Sequence, residues 1–175
     1  MPTYEFNTPD GQKIDRSKLI ACLNVGTKDS PDWAIIGKGV SSSSIEQDWQ
    51  RSSETDILGN TVNDMKKPIK TQSFDPWPIT KGDNAAEWVW QKGIVDEDAH
   101  ALCNVDMLEI HMYASAGDGK YLAIHYESCS VEPNGPGGEG GGSLSMPINV
   151  TFGGTRTVGS VSAADGKFVF APDAQ

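Results

Sequence analysis

Residues 105–131 read VDMLEIHMYASAGDGKYLAIHYESCSV. Two runs rich in aliphatic and aromatic residues, 105–115 and 120–131, flank Ala116-Gly117-Asp118-Gly119. The Asp-Gly pair supplies the positive-φ positions of a tight hairpin, so the segment predicts two long antiparallel strands. A pair this long sets the fold class. The chain is expected to be mainly β, a β-sandwich or open barrel, with one flanking α-helix and a long extended hairpin arm.

Working outward towards the C-terminus, residues 134–142 (NGPGGEGGG) are low-complexity and predict a flexible loop. Residues 144–152 read as a strand, and 158–161 with 167–170 read as a terminal hairpin around Asp165-Gly166. Towards the N-terminus, Ala85, Trp88 and Val89 fall at helical spacing, which predicts a helix over 84–92 with Asp83 as its N-cap and Gly93 as its stop. Asp96-Glu97-Asp98 reads as an acidic link. Before these, a polar lead-in carries an Asp10-Gly11 turn, and residues 17–25 place Leu19, Ala21, Leu23 and Val25 on one face of a strand. A strand over 32–40 carries Trp33, Ile35 and Ile36. In 42–51 the alternation puts Ser42, Ser44, Glu46, Asp48 and Gln50 on a wet face and Ile45 and Trp49 on a packing face. Residues 52–77 have β character in pieces, broken by Gly59-Asn60 and by Pro68, which predicts an extended arm over 51–77 that leaves the body and needs a partner to lie on.

The 175 residues are expected to form a single domain, residues 1–175, and the 19 glycines and 10 prolines favour turns and strands over long helices. Twenty-four acidic against 14 basic residues give a net charge of −10. A surface of that sign repels polyphosphate and excludes a tight grip on nucleic acid, while leaving non-adhesive passage of DNA open. No stretch approaches the roughly 20 apolar residues that span a bilayer, and the N-terminus has no basic then apolar leader, so no membrane partner is expected and folding in a cytosol is. Cys22, Cys103 and Cys129 are too few and too scattered for a disulfide framework and are read as reduced, mostly buried thiols.

A search for chemistry returns little. Phosphate-loop, dinucleotide-loop, zinc-helix and nucleophile-elbow motifs are lacking, and Gly117-Asp-Gly-Lys120 sits between strands rather than before a helix. His111 and His125 are expected to pair across the hairpin with Glu109 and Glu127 nearby, which makes a metal site conceivable, but polar residues on a solvent or interface face are the better reading. A Cys-His dyad lacks a third orienting group. The Ser41 to Ser44 run is read as solvated surface. The Asn149-Val-Thr151 sequon is read as accidental. No catalytic residue, metal or cofactor is assigned, and the chain is read as no enzyme. Trp33, Trp49, Trp77, Trp88 and Trp90 suit core and interface packing, with Trp49 and Trp88 at core-facing positions. A carbohydrate- or receptor-binding β-sandwich of a tail tip or adhesin, with tryptophans as the site, is the alternative reading.

From about residue 30 onward the order of features resembles the major tail tube protein of long-tailed, siphovirus-type bacteriophages. Trp33-Ala-Ile-Ile-Gly-Lys-Gly-Val40 leads into Ser43-Ser-Ile-Glu-Gln-Asp48. Glu54-Thr-Asp-Ile-Leu-Gly-Asn60 is similar to the family's Tyr/Thr-Asp-Ile-x-Gly turn. Lys67-Pro-Ile-Lys-Thr-Gln-Ser-Phe-Asp-Pro-Trp77 is similar to its strand leading to Asp-Pro. The helix, the Gly137-Gly-Glu-Gly-Gly141 loop, the strand Leu144-Ser-Met-Pro-Ile-Asn-Val-Thr-Phe152 and a terminal hairpin follow in order. Residues 96–101 have no counterpart.

The resemblance implies a structural subunit that polymerises into stacked hexameric rings, a virion tail tube assembled in the host bacterial cytoplasm. Its implied partners are further copies of itself, a tape-measure protein, a tail-tip initiator and a tail terminator. Double-stranded DNA would pass transiently through a negatively lined conduit during genome ejection. Under it, Glu46, Asp48, Glu54 and Asp56 are candidates for the channel lining, with an ordinary solvated outer face as the equal alternative. Lys66, Lys67, Lys70, Phe74 and Trp77 are candidates for contacts between rings or subunits, with the three lysines equally readable as guards of an edge strand. The arm, the glycine-rich loop and the N-terminus are expected to order fully only against a neighbour.

Overall fold

The computed structural model describes residues 4–164 and 167–173. In chain order its strands are β1 (Glu5–Phe6), β2 (Leu19–Asn24), β3 (Trp33–Ile36), β4 (Ile45–Asp48), β5 (Arg51–Thr55), β6 (Thr61–Met65), β7 (Ile69–Phe74), β8 (Val105–Gly117), β9 (Lys120–Pro133), β10 (Ile148–Phe152), β11 (Arg156–Ala164) and β12 (Lys167–Pro172). Between β7 and β8 lie the helix α1 (Asn84–Trp90) and a single turn, α2 (Ala99–Leu102).

Ten of the strands join one antiparallel sheet, and β5 and β6 pair only with each other. The large sheet folds over at β9. Residues 121–126 of β9 pair with both β8 and β11, whereas residues 130–133 pair with β10. Ser128, with φ of 53°, stands at the change. One layer therefore runs β3-β2-β8-β9-β11-β12, and the other runs β9-β10-β7-β4. The main core lies between the layers and under α1: Leu23 and Met107 from the first, Phe74, Ile148 and Val150 from the second, and Ala85, Ala86 and Val89 from the helix. A smaller core of Cys22, Leu108, Ile110, Ala123 and Val161 sits on the other face of the first layer, where Phe168 and Phe170 of β12 curl over it. Lys167 Nζ lies 3.2 Å from Asp32 Oδ1, linking β12 to the loop before β3.

The hairpin that sets the class is present, with Asp118 at φ 49° and Gly119 at φ 70° forming its two-residue turn. Its register differs from expectation. Ser115 pairs with Tyr121 but His111 pairs with Leu122, because β8 bulges between these positions. The slip sets His111 opposite Leu122 and His125 opposite Leu108, on opposite faces of the layer, so the two histidines do not meet.

Three further expectations are corrected. Pro68 precedes β7 rather than interrupting it, so Ile69–Phe74 is an internal strand between β10 and β4, and the arm is only the β5–β6 hairpin. Gly93 does not stop the helix. Asp83 caps α1 by accepting from the Ala86 amide, but the chain continues through a wide turn, Gln91–Val95, and a Cβ on Gly93 would lie 2.5 Å from Pro133 Cγ. The glycine allows close approach of helix and β9 instead. Finally, Cys103 is exposed, while Cys22 and Cys129 are buried as expected. The turn expected at Asp165-Gly166 lies outside the described residues.

Candidate assembly surfaces

The second layer has a polar outer face. In β7, Lys70, Gln72 and Phe74 are buried and point between the layers, which turns Ile69, Thr71 and Ser73 outward. Cross-strand partners share a face. Glu46 pairs with Thr71 and Asp48 with Ile69, so both predicted carboxylates lie on the outer side of edge strand β4. Ser44 joins them, its hydroxyl 3.5 Å from that of Ser73. On the other flank Asn149 pairs with Ser73 and Thr151 with Thr71, and Glu132 and Ser130 of β9 pair with Asn149 and Thr151. On their outer side these four strands thus present Glu46, Asp48 and Glu132 among hydroxyls, an amide and the half-exposed Ile69, with no lysine or arginine on that side. Glu132, Asn149 and Thr151 were missed in the sequence, although the alternation of Ile148-Asn-Val-Thr-Phe152 carries the signal. Trp49, expected to pack, is 49 % exposed just beyond β4.

The arm is a bare hairpin. Every residue of β5 and β6 is exposed, in register from Arg51 opposite Met65 to Thr55 opposite Thr61. Glu54, paired with Val62, shares a face with Ser52 and Asp64. Asp56 forms the tip. Its Oδ1 accepts from the amides of Leu58 and Asn60, each at 2.8 Å, and its Oδ2 accepts from the Asn60 side chain at 3.0 Å. The Asn60 hydrogen bonds hold its carboxyl below the usual aspartate value. The carboxylate therefore builds the turn as well as carrying charge. Ile57 and Leu58 stand out from the tip at 102 % and 81 % exposure.

Of the expected contact residues, Lys66 and Lys67 are exposed at the arm's base. Lys70, Phe74 and Trp77 are buried in the chain's own body. Lys70 pairs with Glu109 of β8 across the two layers, and its Nζ lies 3.2 Å from the Tyr126 hydroxyl and over the Tyr126 and Phe152 rings. The charge expected to meet a neighbour is satisfied inside. Glu109 Oε1 is also 3.6 Å from His111 Nε2, and His111 Nδ1 is hydrogen-bonded to the Tyr113 hydroxyl at 2.6 Å. Burial outweighs the Glu109 charge and lowers the His111 pKa below its ordinary 6.5. His125 has a separate carboxylate, Asp106, with Oδ2 3.8 Å from Nε2, beneath Trp33 and Phe170.

The glycine-rich segment folds back by hydrogen bonds. Gly137 and Ser145 exchange both backbone bonds at 2.9 and 2.8 Å, and the Asn134 amide donates to Pro147 O at 2.8 Å. The N-terminal lead is tied down by β1 on β8 and by the Tyr4 hydroxyl, which donates to Asp173 Oδ2 at 2.7 Å. Of the tryptophans, Trp77 is 1 % exposed, and the exposed Trp49 and Trp90 stand beyond β4 and at the end of α1.

No family model matches the chain, and no curated protein sequence does. Solved structures do. The chain is similar to the tube-terminating cap of the anti-feeding prophage, with a TM-score of 0.52 and 12% identity over 87% of this chain and 94% of that one. The fold is shared with proteins of phage-tail-like particles. A chain of the extended sheath–tube complex of an extracellular contractile injection system matches with a TM-score of 0.50 and 9% identity over 85% of this chain and 93% of that one. The sheath/tube terminator of such a system matches with a TM-score of 0.50 and 10% identity, over 86% of this chain and 99% of that one.

Proposed function

We propose that this chain is a structural subunit of a phage-tail-like particle, joining copies of itself in hexameric rings that stack as a tube. The polar face of β4, β7, β10 and the end of β9 lines its channel. That face carries the reading: three carboxylates, several hydroxyls and no cation on the outer side of four adjacent strands. A polyanion inside such a channel meets like charge and no counter-charge, so it slides instead of adhering. Rings multiply this lining, and the fold shared with particle proteins favours a place in such a tube. DNA, a tape-measure protein, an initiator and a terminator are the partners this role requires, and a virion tail is its location.

The experiment is negative-stain electron microscopy of the concentrated protein, alone and with an initiator complex. Tubes of uniform width with a central channel are the expected result. Isolated rings that never stack would move the assignment to a terminating cap, the second reading, which the likeness to two terminator structures favours. Monomers under all conditions would overturn both.

A further inference from the structure

The arm's tip leaves two adjacent aliphatic side chains in water on a turn fixed by Asp56. Large apolar side chains held out in this way mark contact sites, and a rigid presentation lowers the ordering cost of binding. The same molecule has an open cleft of about 660 Å³ at the seam between the two layers, where β2 and β3 face the chain leading into β4. Its walls are about equally apolar and polar: Leu19, Ile35, Ile36, Val40 and Phe74 form the apolar part, and Arg16, Ser17 and the lip Ser41 to Ser43 the polar part. A cleft of this size seats a small ligand and has room for two aliphatic side chains.

Charge fits too. Arg16 is the one charged residue among those lining the cleft, and its lining is flanked in sequence by Lys18 and Lys38 and by Asp15 and Asp75, which leaves the guanidinium as the charge that faces a docked group. Arg16 Nη1 donates to Leu19 O at 2.7 Å, which leaves further guanidinium donors for an acceptor. The arm brings Glu54 and Asp56 beside Ile57 and Leu58. The cleft's serine lip precedes β4 and the arm follows it, so donor and acceptor occupy opposite ends of one edge strand. An interface with different patches on the two partners is head-to-tail, and such interfaces close into rings or run on as stacks.

We infer that the β5–β6 tip of one copy seats Ile57 and Leu58 in the β2–β3 seam cleft of the next copy, with Arg16 facing Glu54 and Asp56. This rests on the assembly reading and names its contact.

Cysteine trapping tests it in a Cys103→Ser background. Cys22 and Cys129 stay buried, with thiols pushed up to about 12 and about 11, and are inert to mild oxidation. One protein carries Leu58→Cys, and a second, size-tagged protein carries Ser41→Cys. Both positions are exposed, so folding is unaffected, and circular dichroism checks it. The mixed disulfide dimer is expected to form in the mixture in excess of either homodimer, and the chain carrying both cysteines to give a ladder. Ile57→Asp with Leu58→Asp should weaken self-association at least roughly tenfold, as expected from losing burial of an aliphatic side chain. Rings or tubes without the mixed dimer would overturn the docking and leave the assembly reading standing. The mixed dimer without rings or tubes would keep the docking and remove the tube. Absence of both overturns both.

Discussion

Lys70 shows how one residue's role turns on strand phase. Ile69 and Lys70 are adjacent, and ordinary hydropathy puts the isoleucine in and the lysine out. The chain does the reverse, with Ile69 at 46 % exposure and Lys70 at 7 %. Phase is fixed by Phe74 and Gln72 on the same side and by Glu109, which arrives from β8, and that distant partner was invisible in the sequence. Removing one member leaves the other charged and buried. Lys70→Met is expected to cost about 3–5 kcal/mol in urea unfolding, while Lys70→Met with Glu109→Leu recovers most of the loss. A loss in the double variant equal to the sum of the Lys70→Met and Glu109→Leu losses would show that the pair has no coupling. His111 gives a pH dependence. Its folded pKa lies below 6.5, so as pH falls through 6.5 the unfolded chain binds a proton that the folded chain refuses. The stability held above 6.5 is lost as pH falls through the lowered folded value. Melting temperatures between about pH 7 and pH 5 should fall, and less steeply in His111→Gln.

At the scale of elements, the strong hairpin, the Asp83 cap and the Gly59-Asn60 turn of the arm were legible because each is written in neighbouring residues, whereas the arm's end at Met65 was not, since β7 is claimed by β10 and β4. The β8 bulge was not, since it depends on how 13 residues of β8 fit 14 of β9 with β2 and β11 alongside. The arm adds no packing to the body. Replacing residues 51–65 by a short turn should change stability by no more than about 0.5 kcal/mol, the ordinary range for surface changes. Its melting curve should overlay that of the parent, and a large drop would mean that the arm supports the fold. The β11–β12 hairpin behaves oppositely. A Cβ at Gly159 would lie 2.3 Å from Ala171 O and 2.8 Å from the Phe170 ring. Gly159→Ala should therefore destabilise by about 1–3 kcal/mol in denaturant melts, as overpacking does.

For the whole molecule, the net charge of −10 announced a surface hostile to phosphate, but only pairing shows where one cation-free face lies. Glu46 and Asp48 were legible because β4 alternates cleanly. Glu132 was hidden because β9 changes partners before reaching it. Reversing the face by Glu46→Lys, Asp48→Lys and Glu132→Lys should make assembled particles retain double-stranded DNA in low salt and release it as salt rises. Filter binding reads this directly, and equal retention by the parent would remove the channel assignment.

The exchange of partners along β9 also shapes how the chain is made. Strand β7 pairs with β10, and its Phe74 meets Ile148 only after roughly 4–15 seconds of further synthesis at ordinary ribosomal speed. During that interval β4 and β7 must wait as an unfinished ribbon at the ribosome, with their inner side uncovered. Aliphatic side chains throughout that side would invite pairing with the ribbons of neighbouring nascent chains. Gln47, Lys70 and Gln72 stand among Ile45 and Phe74 on that side, so polar groups, two of which are demanding to bury in the finished protein, make the waiting ribbon less adhesive.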